Sequence, residues 1–302
     1  MKAKTTKAVL TKKHKDFIAT IQDEEVRKLV DKNSIITGGS IVSMLLGEEV
    51  NDFDYYFTDK NTCEKVAHYF AKQFNQLTGK SVEVQTMENG RVRVFIKSVG
   101  IAEDDDIQDE DGTNSVEPTT EFDDNGLEDL SLKELQKVKA DEKPEYRPIF
   151  LSSNAITLTN KVQLIIRFYG EAEEIHSNYD FVHATCYWES KNGNLVLPAK
   201  ALEAMLTKEL IYQGSKYPLA SIMRTRKFIQ RGWSINAGQF LKMALQLNIM
   251  DLLDVNILEE QLTGVDSAYF SMAIDAIKKK TEGEHEFKVD NNYLFEVINR
   301  IF

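Results

Sequence analysis

Apolar positions recur at helical spacing over residues 14 to 31, where Phe17, Ile18, Ile21, Val26, Leu29 and Val30 predict a helix. The pattern then shortens. Ile35 and Ile36 are β-branched and read as the end of a short strand. Gly38-Gly39 allows a tight turn, Ser40 opens a helix with Ile41, Val42, Met44, Leu45 and Leu46 on its buried side, and Gly47 ends it. Asp52 to Phe57 is the next strand. Lys60 to Thr78 is predicted helical, with Val66, Tyr69, Phe70 and Phe74 as its apolar face. Val82 to Thr86 and Arg91 to Ile96 alternate like strands around the turn signal Glu88-Asn89-Gly90. Phe150 to Leu158 and Val162 to Phe168 predict two more strands, Gly170 to Ser177 a short helical turn, and Tyr179 to Trp188 a strand closed by Lys191-Asn192-Gly193-Asn194. From Pro198 onward the period is helical, with helices expected over 199–210, 217–231, 236–247, 256–262, 267–280 and 291–300. The fold class expected is α+β: a mixed sheet with helices over 1–197, then an α-helical domain over 198–302.

Composition supports two ordinary domains or one large one. The chain has 302 residues, and 42% hydrophobic residues are enough to bury a core. No apolar run approaches the ~18 residues of a membrane span, and Met1 to Lys7 lacks the apolar centre of a signal peptide. A cytoplasmic setting is therefore expected. Cys63 and Cys186 have no metal-ligand spacing and are expected as buried free thiols. The lysines near the start (Lys2, Lys4, Lys7, Lys12, Lys13 and Lys15) are expected on a solvated, frayed terminus rather than on nucleic acid.

The net charge of −11 is concentrated in one place. Residues 102 to 130 hold thirteen acidic residues and no Lys or Arg, so the 48 acidic residues less these thirteen leave 35, against 37 basic. The segment 102–145 is therefore expected to be a solvated, disordered insertion between strands, with Leu127, Leu130, Leu132 and Leu135 forming a short helix near its end. The rest of the chain is near neutral, and a basic patch on it is compatible with this balance.

The chemistry suggested by spacing lies between residues 38 and 54. Backbone N–H groups at Gly39 and Ser40, at a helix start, can hold phosphate oxygens. Asp52 and Asp54 share one strand face, since strand side chains alternate. One or two carboxylates with substrate phosphates are the usual set for Mg²⁺, and a second ion would clamp attacking and leaving oxygens. Further along, Lys200 to Arg231 carries seven basic residues against two acidic ones. On a helix, Arg224, Lys227 and Arg231 lie on one face, suited to a triphosphate or an RNA backbone. His183 is expected to be structural and to point away from Asp180. The sequence has no P-loop, zinc spacing or Ser-His-Asp pattern.

Gly38-Gly39-Ser40, a short helix and Asp52-Phe53-Asp54 together resemble the signature of the DNA polymerase beta-like nucleotidyltransferase superfamily. The fuller run Gly38 to Gly47 is nearest to the head of tRNA CCA-adding enzymes and poly(A) polymerases, with Val42-Ser43 where those have Arg-Asp. Tyr179-Asp180-Phe181 resembles a Phe-Asp-Phe-x-x-Cys pattern in nucleotidyltransferase-like proteins of viruses and phages, with Ala184 at the Cys position. Pro218 to Ile235 resembles the segment after the CCA-adding catalytic domain, with Arg224 and Lys227 on its Arg-x-x-Arg spacing. The resemblance implies a polymerase beta-like sheet and a nucleotidyltransferase using a nucleoside triphosphate, ATP favoured. It implies two Mg²⁺ (or Mn²⁺) ions held by Asp52, Asp54 and Asp180, with Glu83, Asp105 and Asp106 as further acidic candidates. Gly38, Gly39, Ser40, Arg224, Lys227 and Arg231 would bind the nucleotide. The favoured acceptor is an RNA 3′ end, tRNA-like RNA included. Two alternatives stay open: a non-catalytic binding or structural module, and transfer to a protein hydroxyl.

Overall fold

The computed structural model describes residues 1–87, 90–97, 145–262, 268–283 and 288–301. The expected acidic insertion, its short helix, Asp105, Asp106 and the hairpin tip at Glu88-Asn89 lie outside the described residues. The chain divides into two compact units. Of the described residues, one unit takes those up to 97 with 145–176 and 184–198, and the other takes 177–183 and those from 199 on.

The first unit opens with α1 (Ala3–Ala19) and α2 (Glu24–Asn33). The sequence pattern suggested one helix over 14–31, but Asp23 breaks it: its Oδ1 accepts from the N–H groups of Glu25 (2.9 Å) and Val26 (3.0 Å), starting a new helix. The lysine-rich start is not frayed. It is the first half of α1, held by Thr6, Leu10, His14 and Phe17, which are buried at roughly one per turn.

β1 (Ser34–Thr37), α3 (Gly39–Leu46), β2 (Phe53–Phe57) and α4 (Lys60–Thr78) follow the sequence reading closely. So does the antiparallel hairpin of β3 (Ser81–Thr86) and β4 (Val92–Lys97), which packs on α4. The strand expected over 150–158 is two strands, β5 (Pro148–Leu151) and β6 (Ala155–Leu158). Ser152 splits them by accepting at its Oγ from the N–H groups of Asn154 (3.3 Å) and Ala155 (3.0 Å). β7 (Val162–Tyr169), α5 (Ala172–His176), β8 (Tyr187–Glu189) and β9 (Leu195–Val196) complete the unit.

Seven strands form one sheet in the order β5-β6-β7-β2-β1-β8-β9. Only β2 and β7 run parallel, so the sheet is mixed. Tyr55, Phe57, Leu164 and Ile166 are fully buried in its middle. Phe17 of α1 packs its ring 5.2 Å from Tyr55 and 6.1 Å from Phe70 of α4. Each such side chain contributes about 1.5–3 kcal/mol on leaving water. Cys63 and Cys186 are buried free thiols, both pushed up to about 12 by burial.

The second unit is helical: α6 (Ala199–Thr207), α7 (Pro218–Gln230), α8 (Ala237–Leu247), α9 (Val255–Gln261), α10 (Ala268–Gly283) and α11 (Asn291–Ile301). Pro218 sits at the start of α7, where its missing N–H costs nothing. Asn236 and Asp254 cap α8 and α9. Ala273, Ile277 and Val297 form the small core between α10 and α11. The strand expected over 179–188 does not form as one piece. Phe181 makes a single bridge to Tyr212, Val182–Thr185 is a 3₁₀ turn, and strand structure resumes at Tyr187. Phe181 is drawn off by its own unit, with the Tyr212 ring at 6.0 Å and the Phe228 ring at 5.5 Å. Among the described residues no helix is long and apolar enough to cross a membrane.

Candidate nucleotide and metal site

The turn from β1 into α3 is built on Gly38, whose φ of 83° and ψ of −151° suit glycine alone. It delivers the unpaired N–H groups at the start of α3 into open space: a Cβ added at Gly39 would meet nothing within 4 Å. Ser40 is 3% exposed, and its Oγ has no hydrogen-bond partner among the described residues. A buried hydroxyl at a helix start without a partner is a costly arrangement unless a ligand completes it.

Asp54 stands beside this turn in the sheet. It is opposite Thr37 on β1 and Gln163 on β7, so these three residues line one face. Asp52 lies two residues earlier, just before β2, and near enough for its charge to act on Asp54. Burial, and next the charge of Asp52, push Asp54 up to about 7. A divalent cation beside two carboxylates so placed would offset the repulsion between them. The donor set fits Mg²⁺.

A group that spacing did not reveal sits on the same face. Thr37 Oγ1 lies 2.9 Å from the Cys186 carbonyl and 2.8 Å from His176 Nε2. The hydroxyl has one proton and the carbonyl can only accept, so Thr37 donates to Cys186 and His176 Nε2–H donates to Thr37. Burial holds His176 near 4, against the opposing pull of Glu173, so it is neutral at physiological pH. Its ring meets Tyr187 edge-on at 5.4 Å. Thr37 and His176 are 139 residues apart, and the only local signal was a helical turn ending in His.

Glu83 is exposed on β3 of the first unit, and the other described candidates belong to the second unit. Asp180, with its side chain 13% exposed, is ion-paired with the Arg224 guanidinium. Its backbone carbonyl accepts from Gln213 N–H at 2.9 Å. Lys227 is on the exposed side of α7 and Arg231 is the exposed residue that caps it. His183 is buried in an aromatic box, with ring centres at 4.3 Å to Trp233, 4.8 Å to Phe228 and 6.0 Å to Phe181. Burial, then the charge of Arg231, push it down to about 4. The structure thus groups Gly38, Gly39, Ser40, Asp52 and Asp54 in one unit, and Asp180 with Arg224 in the other. Among the described residues no three His, Cys, Asp or Glu side chains are arranged to hold a metal ion.

Residues 8–208 match the family model described as Gad2, Gabija anti-defense 2 family protein. The chain belongs to the Gad2 family. The match takes in the Gly38 turn, both aspartates, His176 and Asp180, and stops before Arg224. Solved structures similar to this Gad2-family chain include a Thermotoga maritima CCA-adding enzyme complexed with tRNA, at 11% identity and a TM-score of 0.39 over 86% of this chain and 52% of that one. Another is a tRNA-processing enzyme with CTP, at 12% identity and a TM-score of 0.40 over 91% and 57%. A third is a Bacillus stearothermophilus CCA-adding enzyme in complex with CTP, at 11% identity and a TM-score of 0.37 over 86% and 51%. The chain spans just over half the length of each. No curated protein matches it.

Proposed function

We propose that this Gad2-family chain is a metal-dependent nucleotidyltransferase that acts against a bacterial defence system from within the host cytoplasm. The observation that carries the reading is the pairing of an orphaned Ser40 hydroxyl at an open helix start with an Asp54 carboxylate pushed up to about 7. The N–H groups of Gly39 and Ser40 receive phosphate oxygens of a nucleoside triphosphate, ATP favoured. Asp52 and Asp54 would hold Mg²⁺, and the chemistry it would supply is charge neutralisation on the phosphates. An acceptor hydroxyl, an RNA 3′ end favoured, attacks the α-phosphorus. The new O–P bond forms, the bond to pyrophosphate breaks, and the hydroxyl proton passes to solvent. Positioning does most of the work in such a displacement, so no dedicated base is needed.

One observation favours a second reading. Asp180, the expected third carboxylate, is already committed to Arg224. A chain whose described residues bring two carboxylates to the site would act by binding a defence component without transferring anything to it.

The deciding experiment is incorporation of label from each α-³²P nucleoside triphosphate, with Mg²⁺ and then Mn²⁺, into total RNA and total cell protein. An Asp52→Ala/Asp54→Ala variant serves as control, and both proteins are also scored for relief of defence in infected cells. Label that follows one acceptor class and vanishes in the variant supports transfer and identifies the acceptor. No label and no metal-dependent nucleotide binding, with defence relief intact in the variant, would replace transfer by the second reading.

A further inference from the structure

We propose that the outer face of α1 is a docking surface for the sugar–phosphate backbone of a nucleic acid. At about 100° per residue, Lys4, Lys12 and Lys15 fall about 120° or more from Leu10 and Phe17, Lys7 lies on the flank about 60° from Leu10, and all four are exposed. With Thr11 they line a shallow concavity of about 500 Å³. Lys12 is paired with Asp16 at 2.6 Å. Lys4, Lys7 and Lys15 have no acidic partner among the described residues. In a chain of net charge −11, three such charges on one face form a local positive field.

The residue types select the partner. From Lys4 to Lys15 the helix rises about 16 Å, a length over which one strand of a duplex presents about five phosphates. Lysine is a flexible point charge, suited to phosphates rather than to reading base edges. Besides its lysines the face carries Ala8, Thr11 and Asp16, the partner of Lys12, so it has no large apolar side chain to insert into a bilayer. α1 also packs on α3, the helix that begins at Gly39-Ser40. The docking surface does not depend on catalysis at that helix start.

The test is fluorescence anisotropy of a short fluorescein-labelled single-stranded RNA over a salt series, with the full chain. The variant is Lys4→Gln/Lys7→Gln/Lys12→Gln/Lys15→Gln, with its urea midpoint checked against wild type. An equal-charge control carries Lys28→Gln/Lys72→Gln/Lys80→Gln/Lys191→Gln, and Asp52→Ala/Asp54→Ala separates binding from transfer. The α1 variant is expected to bind on the order of a hundredfold more weakly at low salt, with the log–log salt slope shallower by nearly 3, about 0.7 per lost phosphate contact. The control and the aspartate variant are expected to keep most of the affinity. Equal binding by the α1 variant, or an equal loss in the control, would overturn the proposal. So would capture of mixed phosphatidylcholine–phosphatidylserine vesicles, or of an acidic peptide, without capture of RNA.

Discussion

Replacing Asp54 with Asn keeps the shape of the side chain and removes a carboxyl that burial and Asp52 push up to about 7. In the unfolded chain an aspartate ionises near ~3.9. The folded state therefore keeps the proton over about three pH units more, and at ~1.4 kcal/mol per unit the ceiling is about 4 kcal/mol. Asp54 is only half-buried and water screens part of the cost, so about 2 kcal/mol is expected. For an acid whose folded pKa is raised, the folded state binds more protons between pH ~4 and ~7, so stability falls as pH rises through that window. Asp54→Asn should therefore stabilise the protein most above pH 7, less at about pH 5, and not at all below pH ~4. Urea unfolding of both proteins across that range measures the difference directly. Mg²⁺ should raise the wild-type midpoint above pH 7 and move the Asn variant less, because the ion relieves the repulsion that the substitution already removes. No gain above pH 7 would mean that the carboxylate is well solvated. An equal gain at every pH would make the effect one of packing. Either result refutes the reasoning.

The Asp180–Arg224 pair should be energetically coupled. A double-mutant cycle of Asp180→Asn with Arg224→Met, read by urea unfolding, is expected to give about 1–3 kcal/mol, and simple additivity would show the pair to be without weight. His183, held near 4 against ~6.5 when unfolded, should make the chain less stable as pH falls from about 6.5 towards 4, because the unfolded state takes up the proton first. Phe suits the aromatic box, so His183→Phe should flatten that slope by up to about one proton. An unchanged slope would mean that the imidazole protonates as freely folded as unfolded.

The parts of the fold legible in the sequence are those whose cause is local. Gly38 and Gly47 carry positive φ, Asp59 caps α4 through Thr62 N–H, and apolar periodicity placed the helices of the second unit to within a few residues. The Gly38 turn and the aspartate pair lie within 20 residues of one another, so their spacing was readable before any fold was known. Tertiary partners decided the rest. The alternation in Tyr179 to Trp188 reads as a strand, yet Phe181 is claimed by Tyr212 and Phe228, and the chain turns before β8. The Thr37–His176 bond joins the end of β1 to the end of α5, which no short window can contain. Asp180 looked like a third metal ligand because its neighbours match a pattern, but the sequence did not show that Arg224, 44 residues later, would lie beside it.

The order of strands in the large sheet has a consequence for synthesis. Phe53 finds its partner Val162 only about 110 residues later, and Ile36 waits for Trp188. At ~5–20 residues per second, the ribosome needs on the order of 5–20 s to make that intervening chain. Until then β1 and β2 form a two-stranded ribbon covered by helices alone, with both edges open to strands of other nascent chains. Yield in cells should therefore rise with slower initiation, cooler growth and more chaperone. A chain released before Trp188 would join its neighbours in aggregates before it could close its own sheet.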